Sequence, residues 1–417
     1  MRARRLPHAV AHEPALPGRR PGRRRRALRR VRRRTRGGAA REPRAGDRRQ
    51  QRDRLRRRAA RQADAPLRRY ARPRQSAHRG ARDTRDGVRG RPARHGQGRG
   101  RTAMLMLSLP AVACLAVAGC VVDKLVGEPR AAHPLVAFGR LAARLERALN
   151  TGRRGRLAGL AAWLAAVAPP VALAAWLAAA LPWPLAAALH VALLWFALGA
   201  RSLAEHVAPI AAALLRRDLA AARALTARIV SRDTSAADEA ALSRAAVESA
   251  LENGNDAIFG ALFWFAIAGG PGALLFRLAN TLDAMWGYRT PRFARFGWAA
   301  ARIDDALNWA PARLTAASYA LLGDTANAWR CWRAQARHWD SPNAGPVMAA
   351  GAGSLNVVIG GPAVYHGAIE DRPVLGAGEP AAPVHVAAAL SLVARTMILW
   401  LALLVAGAAL SIATHHG

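Results

Sequence analysis

The stretch that decides the fold runs from Asn280 to Arg313 and reads NTLDAMWGYRTPRFARFGWAAARIDDALNWAPAR. It gathers acids, amides, arginines, prolines and aromatics in a chain otherwise rich in Ala, Leu, Val and Arg. A helix that begins near Trp298 places Asp304 and Asn308, four residues apart, on one face, with Asp305 beside them. This stretch therefore predicts a polar helix face that a neighbouring element must cover.

Further charged and amide groups flank this helix. Arg302 and Arg313 bracket its acids, and Asn280 and Asp283 lie three residues apart after a long apolar segment. Hard cations take oxygen ligands, and the guanidinium fork matches phosphate oxygens. The stretch predicts a site for Mg²⁺ and phosphate. The alternative is a capped, salt-bridged surface loop, because ion-pair networks gather the same residues.

The charge of the chain is concentrated at its beginning. The 417 residues carry a net charge of +37, and residues 1–101 hold 37 Arg, no Lys and 7 acids. Such a segment buries too little apolar surface to offset chain entropy, so residues 1–103 are predicted to be disordered. A nucleic-acid or anionic-membrane tail is the functional alternative. Because there is no aromatic interleaving beyond Tyr70, we expect no nucleic-acid partner and a coding start at Met104 or Met106 instead.

Residues 104–417 are predicted to form a mainly α, polytopic membrane protein with cytoplasmic helical loops. Its apolar segments are approximately residues 104–122, 157–181, 183–199, 257–278 and 397–413. The arginine-rich loops place the polar regions, and with them the site, on the cytoplasmic side of a bacterial inner membrane by the positive-inside rule. Segment 257–278 is broken by Gly269-Gly270-Pro271-Gly272, so we expect it to be re-entrant or paired with a short crossing near residues 316–322.

A second polar cluster lies between the third and fourth apolar segments. Glu248, Glu252 and Asp256 recur every four residues, and a helix stacks them on one face. Like charges at this spacing repel, so a positive group is expected opposite them. Arg232 and Asp233 lie upstream. A solvated helix face is the alternative.

Two weaker clusters and several absences complete the pattern. Asp123, Glu128 and His133 follow the first apolar segment, and Ser341 and Asn343 lie in a turn-rich stretch. A lone His near a turn is more often structural. The chain has no P-loop or dinucleotide fingerprint and a single lysine, so arginines and metal-bound carboxylates would have to hold any nucleotide. The three cysteines lack metal-ligand spacing.

Taken in order, these clusters resemble the CobD/CbiB family of membrane-bound adenosylcobinamide-phosphate synthases. The resemblance covers about residues 108–390. The motifs that carry it are Asp123-Lys-Leu-Val-Gly-Glu-Pro with His133-Pro134, Arg232-Asp233-Thr234, Glu248-Ser-Ala-Leu-Glu252-Asn253 with Asp256, Asn280-Thr-Leu-Asp283-Ala-Met-Trp-Gly287-Tyr288, Ala301-Arg302-Ile-Asp304-Asp305 with Asn308 and Arg313, and Ser341-Pro342-Asn343-Ala-Gly345. Glu128 stands where the family usually has Asp.

The resemblance implies an ATP-dependent amide ligation in cobalamin biosynthesis. Aminopropanol or its phosphate would be joined to a propionate carboxylate of adenosylcobyric acid, with ATP and Mg²⁺ as cofactors and other pathway membrane enzymes as partners. The residues expected to act in catalysis are Asp283, Asp304, Asp305, Glu248 and Glu252, the three aspartates as Mg²⁺ ligands. Those expected to contact substrate or phosphate are Arg232, Asp233, Asp256, Asn280, Arg302, Asn308, Arg313, His133, Ser341 and Asn343. The alternatives are a non-catalytic membrane sensor or scaffold of the same fold, and a corrinoid transporter.

Overall fold

The computed structural model describes residues 107–128, 134–152, 155–365 and 368–416, and this part of the chain is mainly helical, which confirms the predicted class. The segment 1–103, predicted to be disordered, lies outside the described residues. The helices are α1 (Leu109–Val126), α2 (Pro134–Leu149), α3 (Gly155–Ala180), α4 (Trp183–Ala197), α5 (Ala200–Leu215), α6 (Leu219–Thr226), α7 (Glu239–Gly254), α8 (Gly260–Trp286), α9 (Trp298–Leu322), α10 (Thr325–Gln335), α11 (Ala344–Ser354) and α12 (Pro383–His416). A π-helical turn, Asn255–Phe259, joins α7 to α8, and a 3₁₀ turn, Ala336–His338, follows α10.

Short strands occupy the region between α11 and α12. They are β1 (Val357–Gly360), β2 (Ala363–Tyr365), β3 (Ala368–Glu370), β4 (Val374–Leu375) and β5 (Glu379–Pro380). β1 pairs antiparallel with β4, with Ile359 opposite Leu375, and parallel with β5. β2 and β3 form an antiparallel pair with Val364 opposite Ile369.

Helix α8 is shared by the two hydrophobic cores. One of its faces carries apolar side chains at four-residue spacing and packs with α2 and α3: Leu274, Leu278, Leu282 and Trp286. Another face contributes Phe265, Ala273 and Phe276 to a larger core with α1, α4, α5, α7, α11 and α12. Asn280 and Asp283 follow Phe276 by four and seven residues, so they lie on the stripe of α8 that continues from the larger core.

The predicted break in segment 257–278 is confirmed. Ala268 and Gly269 have non-helical backbone angles inside α8, and Gly269 adopts a φ of 60°, which glycine reaches without a Cβ clash. The freed backbone N–H of Gly270 donates to Nδ1 of His190 at 2.8 Å. Pro271 follows where a helix restarts and where its missing N–H costs nothing. The helix then continues to Trp286 and carries the site residues with it.

Five helical stretches are long and apolar enough to cross a membrane, which makes this a multi-pass membrane protein. They are Leu109–Val126, Gly155–Ala180, Trp183–Leu215, Glu239–Trp286 and Pro383–His415, and they correspond to the five predicted apolar segments. The third and fourth stretches reach into regions that the sequence had suggested were polar loops. Within the described residues α9 is not among these five long stretches, and the short second crossing considered near residues 316–322 stays a prediction. The re-entrant path and the cytoplasmic side of the loops stay predictions.

A tight turn connects α8 to α9 and sets their mutual position. The rings of Trp286 and Phe296 meet edge to face at 5.1 Å, and the buried Glu146 of α2 accepts from the Arg292 side chain at 2.6 and 3.0 Å. A Cβ at Gly297 would lie 1.6 Å from the carbonyl oxygen of Trp286. The turn therefore closes only if residue 297 has no side chain.

We expect Gly297→Ala to lower the melting temperature of the detergent-solubilised protein by about 5 °C. A backbone carbonyl cannot move aside as a flexible side chain does, overpacking costs about 1–3 kcal/mol, and each kcal/mol shifts the midpoint by about 2–4 °C. Gly139→Ala is the matched control, because its Cβ would meet only the Met285 sulfur at 3.8 Å. Equal melting temperatures for the two variants would contradict this account of the turn.

Candidate functional site

A cavity of about 700 Å³ opens beside α7 and the C-terminal part of α8. Its other walls come from residues 227–232, the turn at residues 339–340, and the β2–β3 region with the loop after it. Six of the predicted site residues line this cavity: Arg232, Glu248, Glu252, Asp256, Asn280 and Asp283. The structure thus joins the second polar cluster to the beginning of the central stretch.

Glu248 binds the two sides of the cavity together. It is buried, and its Oε2 accepts from the guanidinium groups of Arg232 and Arg372, the latter at 3.1 Å. Its Oε1 accepts from the backbone N–H of Gly360 at 2.8 Å. Arg232 and Arg372 are the positive groups that were expected opposite the stacked carboxylates of Glu248, Glu252 and Asp256. Because both carboxylate oxygens are occupied, Glu248 holds the wall in place and is not free to react with a ligand.

Arg372 was missed at the level of sequence. Its guanidinium lies over the Trp339 ring at 5.4 Å. Burial alone would lower its pKa, but Glu248 raises the pKa above the usual arginine value. The only signal that could have found it is the charged run Glu370-Asp371-Arg372 before Pro373, in a region without clear secondary-structure periodicity.

The π turn holds a buried hydrogen-bond network behind the cavity. Asp256 Oδ1 accepts from Asn255 at 2.9 Å and from Asn308 of α9 at 2.7 Å. Asn255 also donates to Asn308 at 2.8 Å and accepts from Thr315 at 3.0 Å. A π turn takes an extra residue, and such turns occur often at functional sites. Here it places two consecutive polar side chains against α9 and joins Asp256 at the cavity to Asn308 behind it.

Asp304 lies one turn before Asn308 and is buried outside the cavity lining. Its Oδ1 has no hydrogen-bond partner among the described residues. Burial raises its pKa well above the usual range, and the neighbouring carboxylates Asp283 and Asp256 raise it further. Asp304 is therefore more readily protonated than an ordinary aspartate. Its predicted pairing with Asn308 on one helix face is confirmed, since both are buried.

Asp305 and Arg302 do not line the cavity. Asp305 is half-buried, and burial raises its pKa, while the guanidinium groups of Arg302 and Arg289 act in the opposite direction. Arg302 is exposed on the outer face of α9. The helical period that buries Asp304 turns these two neighbours outward. Of the three aspartates expected to hold Mg²⁺, only Asp283 lines the cavity, although Asp283 and Asp305 both lie near enough to Asp304 to raise its pKa. No group of three His, Cys, Asp or Glu side chains in the described ranges is arranged to hold a metal ion.

Arg313, Ser341 and Asn343 form a structural joint. Arg313 donates to the side chain of Asn343 and to the carbonyl of Pro342 at 2.9 Å. Asn343 donates to the carbonyl of Asp305 at 2.9 Å, and the Ser341 hydroxyl accepts from the backbone of Ala344 at 3.1 Å. These contacts fasten the start of α11 to α9. The structure brings none of the three into the cavity lining.

The last two predicted contacts lie elsewhere. Asp233 is exposed and closes a local turn, with its Oδ1 accepting from the Ser235 backbone at 2.8 Å. Its own backbone N–H donates to Val364 in β2 at 2.9 Å, which attaches the 232–234 turn to the β2–β3 pair. His133 lies outside the described residues, so its predicted role stays a prediction.

Curated relatives are similar to between 62% and 70% of this chain. Cobalamin biosynthesis protein CobD of Stutzerimonas stutzeri is 58% identical over 293 residues, which cover 70% of this chain and 96% of the relative. The protein of the same name from Chromobacterium violaceum is 54% identical over 306 residues, with the same coverage. That of Mycobacterium tuberculosis is 42% identical over 267 residues, covering 62% of this chain and 84% of the relative.

No solved structure matches the chain. The family model described as CobD/Cbib protein matches residues 116–393, which contain every described site residue discussed above. With this match and a relative that is 58% identical over nearly its whole length, the chain belongs to the CobD/Cbib family.

Proposed function

We propose that the protein acts in cobalamin biosynthesis as an adenosylcobinamide-phosphate synthase. It would join (R)-1-aminopropan-2-ol or its phosphate to a propionate carboxylate of adenosylcobyric acid, with ATP consumed. The observation that carries this proposal is the cavity itself. In a chain of the CobD/Cbib family, one wall presents free carboxylates and the opposite wall presents two guanidinium groups.

Amide formation from a carboxylate requires that a carboxylate oxygen be made a leaving group. In the proposed first step, the propionate oxygen attacks the γ-phosphorus of ATP and ADP departs, which gives an acyl phosphate. Arg232 and Arg372 suit this step, because guanidinium groups stabilise the charge that spreads over the transferred phosphoryl oxygens. Glu248 fixes both arginines before substrate arrives, which lowers the reorganisation that the reaction requires.

The second step needs a base. The amine nitrogen attacks the acyl carbon, phosphate leaves, and the nitrogen loses a proton. Glu252 and Asp283 line the cavity without an ion-pair partner in the described part of the chain. We assign the proton to Glu252, because Asp283 is assigned to Mg²⁺ below. The same groups attract the ammonium form of the amine and hold it near the arginine wall.

The cavity residues also suit Mg²⁺. This ion binds through one or two carboxylates together with substrate phosphates and water, and does not require an all-protein cage. Asp283 from the predicted set and Asp256 supply such oxygens at the cavity surface, whereas Asp304 and Asp305 do not line it. When bound, the ion would supply charge stabilisation to the phosphates. We place the protein in the bacterial inner membrane with this cavity on the cytoplasmic side, where ATP is available.

The test uses the full-length chain in detergent with adenosylcobyric acid, ATP, Mg²⁺ and either aminopropanol or its phosphate. A corrinoid whose mass increases by the amine minus one water, with ADP and phosphate formed in equal amounts, is the expected result. If neither amine is incorporated while the protein is folded and binds the corrinoid, the non-catalytic alternatives take its place.

Substitutions at Asp283 and Asp304 distinguish the role of the carboxylate that lines the cavity from that of the carboxylate buried behind it. We expect Asp283→Asn to reduce kcat about a hundredfold, because it removes a charge that faces the phosphates and amine. Asp304→Asn should stay within about threefold of the wild type, since Asp304 does not line the cavity and the amide resembles the protonated form that its raised pKa favours. Steady-state ADP release measures both. If Asp304→Asn lowered kcat more than Asp283→Asn does, Asp304 would be the catalytic aspartate.

Glu248 is expected to act as a positioning residue. Glu248→Gln leaves two partly buried guanidinium groups without a counter-charge, and breaking such a pair costs about 3–5 kcal/mol. We expect a melting temperature about 10 °C lower and a higher KM for ATP. Glu205→Gln is the matched control, because its ion pair with Arg201 is exposed and such pairs contribute about 0–1 kcal/mol. A stable Glu248→Gln with unchanged KM would exclude the positioning role.

A further inference from the structure

A second cavity of about 480 Å³ lies beside α10 and borders the first. We call it the Trp/Arg groove, after the six residues that give it its character: Trp329, Trp332, Trp339, Arg313, Arg333 and Arg337. Trp339 and Asp340 line both cavities. A ligand that enters the groove can therefore continue into the acid-lined cavity.

The aromatic wall of the groove is built by helical spacing. Trp329, Trp332, Arg333 and Ala336 follow the i, i+3, i+4, i+7 pattern and form one face of α10 and the turn after it. The two indole rings meet edge to face at 5.1 Å, and the Arg333 guanidinium lies 4.8 Å from the centre of the Trp329 ring. Trp329 keeps 44% of its surface exposed. An aromatic surface of this size is left uncovered by the protein itself.

The groove is also cationic. Within the described residues, none of its three guanidinium groups forms an ion pair with a carboxylate. The acid at its rim, Asp340, pairs instead with Arg289 at 3.2 Å. Arg313 is already engaged with the Pro342 carbonyl, so Arg333 and Arg337 are the donors available to an anion.

Tryptophan and arginine together also occur at membrane interfaces, where they anchor a protein in the headgroup region. Two observations favour a small ligand here. The residues line a concave space and not a convex surface, and its size is that of a site for one small organic group. The groove also leads past Trp339, over which Arg372 lies, to the wall assigned to phosphate.

We propose that the Trp/Arg groove binds the aromatic base of a nucleoside triphosphate, with its phosphates extending past Trp339 into the acid-lined cavity. A planar base stacks on an indole face, and guanidinium groups receive the phosphates. The inference rests on the proposed function, which uses ATP, and adds where the nucleotide lies.

Equilibrium dialysis of the full chain in detergent with Mg²⁺ tests the groove, with ATP and inorganic triphosphate as the two probes. Trp329→Ala should weaken ATP binding about tenfold and leave triphosphate binding unchanged, because stacking is worth about 1–3 kcal/mol per base. Trp329→Phe should keep most of the affinity. Arg337→Ala should weaken both probes. Trp298→Ala is the control, since Trp298 is exposed and stacked by Arg156 at 5.1 Å in another part of the fold.

Four outcomes would overturn the groove assignment. If Trp329→Ala binds ATP like the wild type, or weakens ATP and triphosphate equally, the base does not stack there. If Trp329→Ala keeps its ATP affinity but loses a preference for phosphatidylglycerol over phosphatidylcholine nanodiscs, the groove is a lipid anchor. If the wild type still binds and uses ATP in any of these cases, only the groove assignment is wrong and the proposed function is not contradicted. A folded wild type that neither binds ATP nor forms the amide overturns both.

Discussion

The hydrogen bonds that join Asp256 and Asn255 of the π turn to Asn308 of α9 are the constraint on which the site depends. A buried carboxylate or amide is costly unless its polar atoms are satisfied, and here each satisfies the others. This interlock fixes the register of α9 against the α7–α8 unit. It thereby places Asp304 behind Asp283 and leaves Asp283 to face the cavity.

The same register explains how charge is distributed. Glu248 compensates one of the two guanidinium groups that it holds, and both groups stay at the cavity surface, on a wall that also carries Glu370 and Asp371. The opposite wall presents Glu252 and Asp283 without ion-pair partners in the described ranges. The two walls stay apart because helices and strands that cannot collapse together carry them. A ligand with both a phosphate and an amine or a divalent cation can pair with the guanidinium groups of one wall and the carboxylates of the other. An apolar ligand can pair with neither set of charges.

Local patterns in the sequence were sufficient for the parts of the fold that helical periodicity controls. The five apolar segments, the break near Gly269, the helix at Trp298 and the shared face of Asp304 and Asn308 all follow from spacing and glycine chemistry. The acidic row on α7 and the need for a positive group opposite it were predictable for the same reason.

What sequence could not predict is which polar residues share a cavity. Arg302 and Asp305 adjoin Asp304 in the chain, yet the 100° step between successive helical residues turns them outward. Arg313 and Asn343 match phosphate chemistry as residue types, but they are used to fasten α11 to α9. Arg372 reaches Glu248 across 124 positions through short strands with no clear periodic signal. In each of these cases, contacts between elements distant in the sequence determine whether the residue lines the cavity, and local sequence patterns do not reveal such contacts.

The two walls of the cavity also differ in how firmly they are built. The helical wall belongs to a packed core in which Phe259, Phe265 and Leu282 are fully buried. The other wall consists of two- to four-residue strands and loops, and β3 is exposed along its length. Segments with few buried contacts open at the lowest free energy. Since Glu248 ties this wall to α7, its carboxylate limits how far Arg232 and Arg372 can move when the wall opens.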